Sequence, residues 1–157
     1  MDYLHRLEQT ALGVWLREGE SIWSYPLVLY LHTAGLAILV GSASVIDLRL
    51  LGVASAIPLP TFDRIFRYVW FGFWVNAISG TALLVASAST KLLNPMFYIK
   101  MVIIGFGVWI TYLMRRRVFL EHTSNGRLYA AVSLALWVGA ITAGRLLAYT
   151  GINAGAS

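Results

Sequence analysis

Long apolar stretches alternate with short polar ones along the chain, and this pattern predicts four membrane-spanning helices. About 20 apolar residues cross the hydrocarbon core of a bilayer. Stretches of that kind predict spans at about 22–46, 66–88, 96–114 and 129–149. Residues 3–18 carry apolar side chains at helical spacing, which is typical of an amphipathic helix in the membrane interface. The predicted fold is therefore all-α: a four-helix transmembrane bundle forming one domain, with an N-terminal amphipathic interfacial helix.

The composition agrees with a membrane protein. Of the 157 residues, 59% are hydrophobic and 12% are charged, whereas a soluble domain carries about 25% charged residues. The chain has no cysteine, which excludes disulfides, thiolate metal sites and covalent c-type haem attachment. Its N-terminal segment lacks the pattern of a cleaved signal peptide. Although the net charge is +5, the cations lie mostly beside apolar spans, so membrane topology explains them better than nucleic-acid binding.

The loops predict the orientation, because lysine and arginine mark cytoplasmic loops. Segments 47–67 and 115–128 together hold seven arginines, whereas the N-terminal segment, the 88–95 turn and the tail hold three basic residues. We therefore predict a multi-pass protein of a bacterial inner membrane with both termini in the periplasm. Its expected partners are the lipid bilayer and either other membrane subunits or further copies of the chain, as a homo-oligomer.

Three ionisable residues inside the predicted spans are candidates for chemistry, because a charged side chain in a membrane is costly and is usually functional. At ~1.5 Å per residue, His32 lies roughly 14 Å below the outer interface, and Lys100 and Arg145 lie about 6 Å below it. We predict that they converge in the outer half of the bundle, with Arg145 facing its interior. The candidate cofactor-binding residues are His32, Asn76, Lys100, Arg145 and Tyr149.

This arrangement suggests haem b, since histidine is a common axial ligand of haem iron. In this hypothesis His32 binds the iron, and Lys100 and Arg145 hold the propionates nearer the surface. The iron would be five-coordinate, or Met101, His5 or a partner subunit would complete its coordination, so the candidate metal ligands are His32, Met101 and His5. The chain lacks a pair of histidines across two spans, the stronger haem signature.

Copper and quinone are alternative cofactors. His32 with Met96 and Met101 offers imidazole and thioether ligands suited to Cu(I), although the chain has no methionine-rich run. A quinone pocket would use His32 and an aromatic wall of Tyr30, Trp74 and Tyr98.

His32 also has a purely structural interpretation, as a neutral hydrogen-bonding residue between helices. Its partner would be Asn76, Ser79 or Thr81. At the other end of the first span, Asp47 and Arg49 are predicted to pair with each other or with Asp63 and Arg64. This pairing would lock the cytoplasmic end of the bundle.

Several motifs resemble those of a family of small four-span bacterial membrane proteins of unknown function. They are Leu31-His32-Thr33-Ala34-Gly35 with the later Gly41 and Asp47-Leu48-Arg49-Leu50-Leu51-Gly52, then Tyr98-Ile99-Lys100, then Ser133-Leu134 with Trp137, then Ala143-Gly144-Arg145-Leu146-Leu147-Ala148-Tyr149. The family is distantly similar to the membrane domain of copper resistance protein D, which is associated with copper uptake. The resemblance implies an inner-membrane four-helix bundle and, loosely, copper handling. In layout alone the chain is similar to a haem-containing membrane protoporphyrinogen oxidase.

The sequence therefore predicts a haem b-binding redox or electron-transfer protein, or a subunit of a membrane complex. The alternatives are a copper-handling transporter component and a non-catalytic assembly or structural subunit. Nothing in the sequence resembles a hydrolase triad, a phosphate-binding loop or a paired-carboxylate site, and the sequence leaves open whether the protein is an enzyme.

Overall fold

A computed structural model of the chain describes residues 2–19, 23–122 and 125–153, and all their regular secondary structure is helical. The helices are α1 (Asp2–Glu8), α2 (Ala11–Glu18), α3 (Tyr25–Leu51), α4 (Phe66–Ala86), α5 (Ala88–Leu92), α6 (Pro95–Met114) and α7 (Gly126–Asn153). A 3₁₀ helix (Leu59–Ile65) leads into α4, and a π-helical segment (Arg115–Leu120) extends α6.

Four of these helical stretches are long and apolar enough to cross a membrane: Tyr25–Leu51, Leu59–Ala86, Pro95–Leu120 and Gly126–Leu147. This confirms the predicted all-α bundle with four candidate spans. Helix α3 packs against α4 and α7, and α6 packs against α7, whereas α4 and α6 make few direct contacts. We call the end of the bundle that holds His32 and Lys100 the histidine half, and the opposite end, which holds Asp47, the aspartate half.

Helix α3 continues past residue 46, where the sequence analysis ended it. Gly52 ends the helix with a left-handed φ of 111°, and its backbone N–H bonds the carbonyls of Leu48 and Arg49. A glycine in this conformation is the usual stop after the last helical turn. Asp47 therefore lies inside the helix with 0% of its surface exposed.

The predicted charged lock at this end is wrong. Arg49 donates hydrogen bonds to the backbone carbonyls of Ser55 and Ile57, and Asp63 pairs with Arg115 at 3.1 Å. The helical geometry explains the error, because burying Asp47 in the bundle turns it away from the arginines of the loop.

The N-terminal segment forms two short helices instead of the single predicted one. They separate at Thr10, whose hydroxyl accepts from the N–H of Gly13 and donates to the carbonyl of Leu7. Helix α2 packs against α4, and α1 packs against α5. Glu8 is buried where α1 meets α5, and its carboxylate accepts hydrogen bonds from the hydroxyl and N–H of Ser89. These helices therefore attach to the histidine half of the bundle.

The centre of the bundle depends on a close approach of α3 and α4. A Cβ atom on Gly72 would lie 2.5 Å from the backbone nitrogen of Leu39 and 2.9 Å from the carbonyl oxygen of Gly35. Small residues permit such backbone contact between membrane helices. From there a buried apolar cluster extends into the aspartate half: Leu39, Ala43, Ile46, Phe66, Val69, Met114, Val118, Trp137 and Ala140.

Candidate functional site: a basic cavity in the histidine half

A cavity of about 320 Å³ lies inside the histidine half, bounded by all four spanning helices and α5. Its walls are mostly apolar, and its volume falls in the range of about 300–1,000 Å³ typical of ligand pockets. Helices α4 and α6 both line it while making few direct contacts with each other. The cavity therefore occupies the space that these two helices leave between them.

His32 on α3 lines this cavity with a fixed orientation. Its Nδ1 lies 3.0 Å from the backbone oxygen of Asn76 and 3.2 Å from the hydroxyl of Ser79. A carbonyl oxygen can only accept, so Nδ1 carries the hydrogen, and the neutral ring keeps its lone pair on Nε2. Asn76 returns a bond from its side-chain amide to the His32 carbonyl at 2.8 Å. These bonds leave Nε2 available to a ligand.

Gly80 makes room for the imidazole. A Cβ atom at this position would lie 2.9 Å from Cε1 of His32 and 3.3 Å from Nδ1. The first distance is too short for a carbon–carbon contact, so a side chain at position 80 would displace the ring. The location of His32 therefore depends on the small residue opposite it on α4.

Two lysines face the same cavity. Lys91 on α5 donates to the carbonyl of Leu83 at 2.6 Å, and burial together with the charge of Lys100 lowers the pKa of Lys91. Lys100 on α6 lies beside Gly144, where an added Cβ would be 3.7 Å from its Nζ. Among the described residues that line the cavity there is no carboxylate. The arrangement therefore favours a ligand with an apolar body and a negatively charged group.

The structure brings together four of the predicted site residues, since His32, Asn76, Lys100 and Met101 all line the cavity. They come from α3, α4 and α6, whereas the depth count predicted that residues of the first, third and fourth spans converge.

Three other candidates lie outside the cavity lining. The prediction that Arg145 faces the interior is wrong, because its side chain is exposed. Burial of Trp137, Ala140 and Ala143 sets the rotation of α7 and turns Arg145 outward. Tyr149 is 63% exposed. His5 is exposed as well, and its Nδ1 lies 3.6 Å from the Glu8 carboxylate.

The details proposed for copper and quinone are not found around the cavity. No group of three or more histidine, cysteine, aspartate or glutamate side chains forms a metal site within the described ranges. Met96 is not part of the lining. The aromatic wall predicted for a quinone is also absent from it, since Tyr30, Trp74 and Tyr98 are 68%, 61% and 54% exposed. The aromatic residues in the lining are instead Phe73, Phe97 and Trp137.

Two residues of the cavity were missed by the sequence analysis. Lys91 was assigned to a polar turn, and only the packing of α5 against the spanning helices directs it inward. Trp137 recurs at helical spacing with Gly144, which faces Lys100. That spacing is the one signal in the sequence that relates it to the cavity.

Comparison of the chain with protein-family models, curated proteins and solved structures finds no match. The resemblance to the four-span family and to copper resistance protein D thus stays a prediction. The function of the protein is therefore inferred from the geometry of the cavity.

Proposed function

We propose that the protein binds haem b in the cavity of the histidine half. As a multi-pass protein of a bacterial inner membrane, it would act in electron transfer, alone or within a larger membrane complex. One observation carries this proposal: an imidazole with an available Nε2 and two ammonium groups face a single apolar cavity lined by no described carboxylate.

His32 would be the iron ligand. Histidines that bind a metal through one ring nitrogen usually donate from the other to a carbonyl or carboxylate, which fixes the ring and raises its basicity. The bond from Nδ1 to the Asn76 carbonyl has this role here, and Ser79 supports it. The interhelical hydrogen bond and the ligand role are thus compatible, because they use different nitrogens. Bound haem would supply one-electron oxidation and reduction.

Lys91 and Lys100 would hold the two propionates. An ammonium group attracts a carboxylate strongly where little water screens the charges. Lys91 therefore takes the role that the sequence analysis gave to Arg145. Met101 shares the cavity with His32, and its thioether would be a second ligand to the iron. The apolar remainder of the lining would contact the body of the macrocycle.

The direct test is the visible spectrum of the detergent-purified protein, as isolated and after addition of hemin. We expect a Soret band that shifts on reduction with dithionite and is lost in His32→Ala. His122→Ala is the matched control, since His122 is exposed and lies outside the cavity lining. A protein that stays colourless with hemin, or one that carries stoichiometric copper instead, would overturn the proposal.

The lysines can be tested by charge removal. We expect Lys91→Met and Lys100→Met each to weaken hemin binding about 10-fold, the equivalent of about 1.4 kcal/mol. Arg145→Met is the control, because its side chain lies on an exposed face. If Arg145→Met weakens binding as much as the lysine variants, the propionates are held elsewhere.

A further inference from the structure

Three buried polar side chains between the aspartate half and the cavity lack hydrogen-bond partners among the described residues. In the described part of the protein, the unpartnered buried side-chain nitrogen and oxygen atoms are both carboxyl oxygens of Asp47, Oγ of Ser133 and Nε1 of Trp137. All three residues are at most 1% exposed. Buried polar groups are normally paired, so unpartnered groups on α3 and on two successive turns of α7 point to a ligand in this region.

These residues extend along α3 and α7 from the aspartate half to the cavity lining. Asp47 follows His32 by 15 positions on α3, close to four helical turns, so the two side chains share a face about 22 Å apart. Ser133 is the polar neighbour of the Asp47 carboxyl, although the two form no well-aligned hydrogen bond. Trp137 is one turn further along α7 and lines the cavity. Ser133 and Trp137 thus connect Asp47 with the cavity.

Within the described ranges, no cationic side chain pairs with Asp47. The charged or titratable groups of the elements packed against this end of α3 include Asp63 and Arg64 of the 3₁₀ helix, Arg67 and Tyr68 of α4, and Arg127 and Tyr129 of α7. The Asp47 carboxyl interacts with Ser133 and with none of these groups. On α3 itself, Arg49 is bound to backbone carbonyls. An ionised carboxylate without a counter-ion is strongly disfavoured in a membrane interior.

We propose that Asp47 is a proton-binding site inside the membrane, and that a water molecule held by Trp137 Nε1–H and Ser133 connects it with the cavity. Protonation converts the carboxylate to a neutral carboxyl, whose O–H donates to the Ser133 hydroxyl. A buried water typically takes two to four such polar partners. The indole cannot carry the proton, so its part is to position the water.

A proton fits this site better than a metal cation. Asp47 and Ser133 offer three oxygens, whereas Ca²⁺ takes about six to eight oxygen ligands and Mg²⁺ demands octahedral geometry. The Trp137 N–H is a donor and repels a cation. The proton site itself stands independently of haem, since Asp47 lies outside the cavity lining.

Infrared spectroscopy of the full-length protein in detergent tests the proposal. At neutral pH we expect a carboxylic-acid C=O band that shifts in deuterium oxide and loses one carboxyl's intensity in Asp47→Asn. Asp63→Asn is the matched control, because Asp63 is half-exposed and paired with Arg115, and it should leave the band unchanged. We expect Ser133→Ala and Trp137→Phe to shift the band without removing it.

Each contrary outcome is decisive. The proton site is overturned if the wild-type protein has no such band, or if Asp47→Asn leaves it intact while Asp63→Asn removes it. If sodium chloride abolishes the band where choline chloride does not, the site binds a metal cation. If Trp137→Phe leaves the frequency unchanged, the water connection to the cavity is wrong. The wild-type measurement needs no variant, so misfolding of Asp47→Asn cannot mask the first outcome.

Discussion

The two halves of the bundle treat a buried ionisable residue in opposite ways. In the histidine half, His32 bonds to Asn76 and Ser79 and opens on a cavity with two lysines. In the aspartate half, Asp47 is enclosed by apolar packing and has no charged partner among the described residues. The first environment combines a histidine and two cations around a cavity, whereas the second surrounds a single acid with groups that carry no charge.

Hydropathy cannot reveal this difference. The four candidate spans have mean hydropathies of 1.7, 1.6, 1.7 and 1.6, so by this measure they are nearly identical. The contrast arises from single positions. Gly72 brings α3 and α4 into backbone contact at the centre, whereas Gly80, two turns further along α4, leaves space that the imidazole fills. The same residue type closes the bundle at one level and makes room for a side chain at another.

The largest effect on stability is expected for Gly72→Leu, which forces α3 and α4 apart where the two halves of the bundle join. The new Cβ would meet backbone atoms at 2.5 and 2.9 Å, which rotamer changes cannot relieve. Over-packing usually costs about 1–3 kcal/mol and occasionally more, and we expect at least about 3 kcal/mol here. Thermal unfolding in detergent measures it. Gly41→Leu is the control, because no heavy atom lies within 4 Å of its Cβ position, and equal melting temperatures would contradict the prediction.

Gly80→Val should affect the histidine half alone. The added side chain displaces the His32 ring, so we expect hemin affinity to fall about 100-fold, or about 2.7 kcal/mol. The melting temperature without hemin should change little, since the cavity can take up the shifted imidazole. Gly105→Val, at a position with open space around it, should retain hemin binding. Unchanged affinity in Gly80→Val would argue against His32 as the ligand.

Glu8 is a buried acid that, unlike Asp47, has hydrogen-bond partners. Hydrogen bonds from the Ser89 hydroxyl and N–H lower the pKa of Glu8 below 4.5 despite its burial. Ionised Glu8 therefore stabilises the fold above pH 4.5, and this contribution is lost as the pH falls through the lowered pKa. We expect Glu8→Gln to lose about 1–2 kcal/mol at neutral pH.

Melting temperatures measured from neutral pH into the acid range check this. The wild-type and Glu8→Gln curves should converge in acid, whereas Glu18→Gln, at an exposed position, should follow the wild type throughout. A constant gap between the Glu8→Gln and wild-type curves at every pH would show that ionisation of Glu8 does not contribute.

The smallest effect is expected for the surface pair of the aspartate half. Asp63 and Arg115 are 39% and 43% exposed, and exposed ion pairs contribute about 0–1 kcal/mol. Asp63→Asn should therefore lower stability by less than about 1 kcal/mol, with the difference shrinking at high salt. A larger, salt-insensitive loss would mean that charge pairing, and not apolar packing, holds this half together.

The fold was predictable because apolar length alone determines the number of spans. The meeting of His32 with Lys100 was predictable as well, since depth along a helix follows from residue counting. The rotation of each helix about its own axis was not predictable from the sequence. Whether Arg145 points inward depends on which face of α7 the other helices bury, and that is decided only by the packed bundle.

The end of α3 in the aspartate half shows a second limit of prediction from the sequence. Asp47 was predicted to start a loop because a charged residue followed a long apolar run. The actual stop is Gly52, whose left-handed backbone ends the helix. Lys91 was missed for a related reason: a turn residue acquires a role only when the short helix that carries it docks on the spanning helices.

The contact of Gly72 with the backbone of α3 has a mechanical consequence. With so little space between them, we expect α3 and α4 to move as one rigid body that carries both His32 and Asn76. Helix α6 has the lowest buried share of the four spans, 11% against 28% for each of the others. We therefore expect a change in the lateral pressure of the bilayer to act first on the wall that carries Lys100, so that the width of the cavity changes while His32 keeps its hydrogen bond to Asn76.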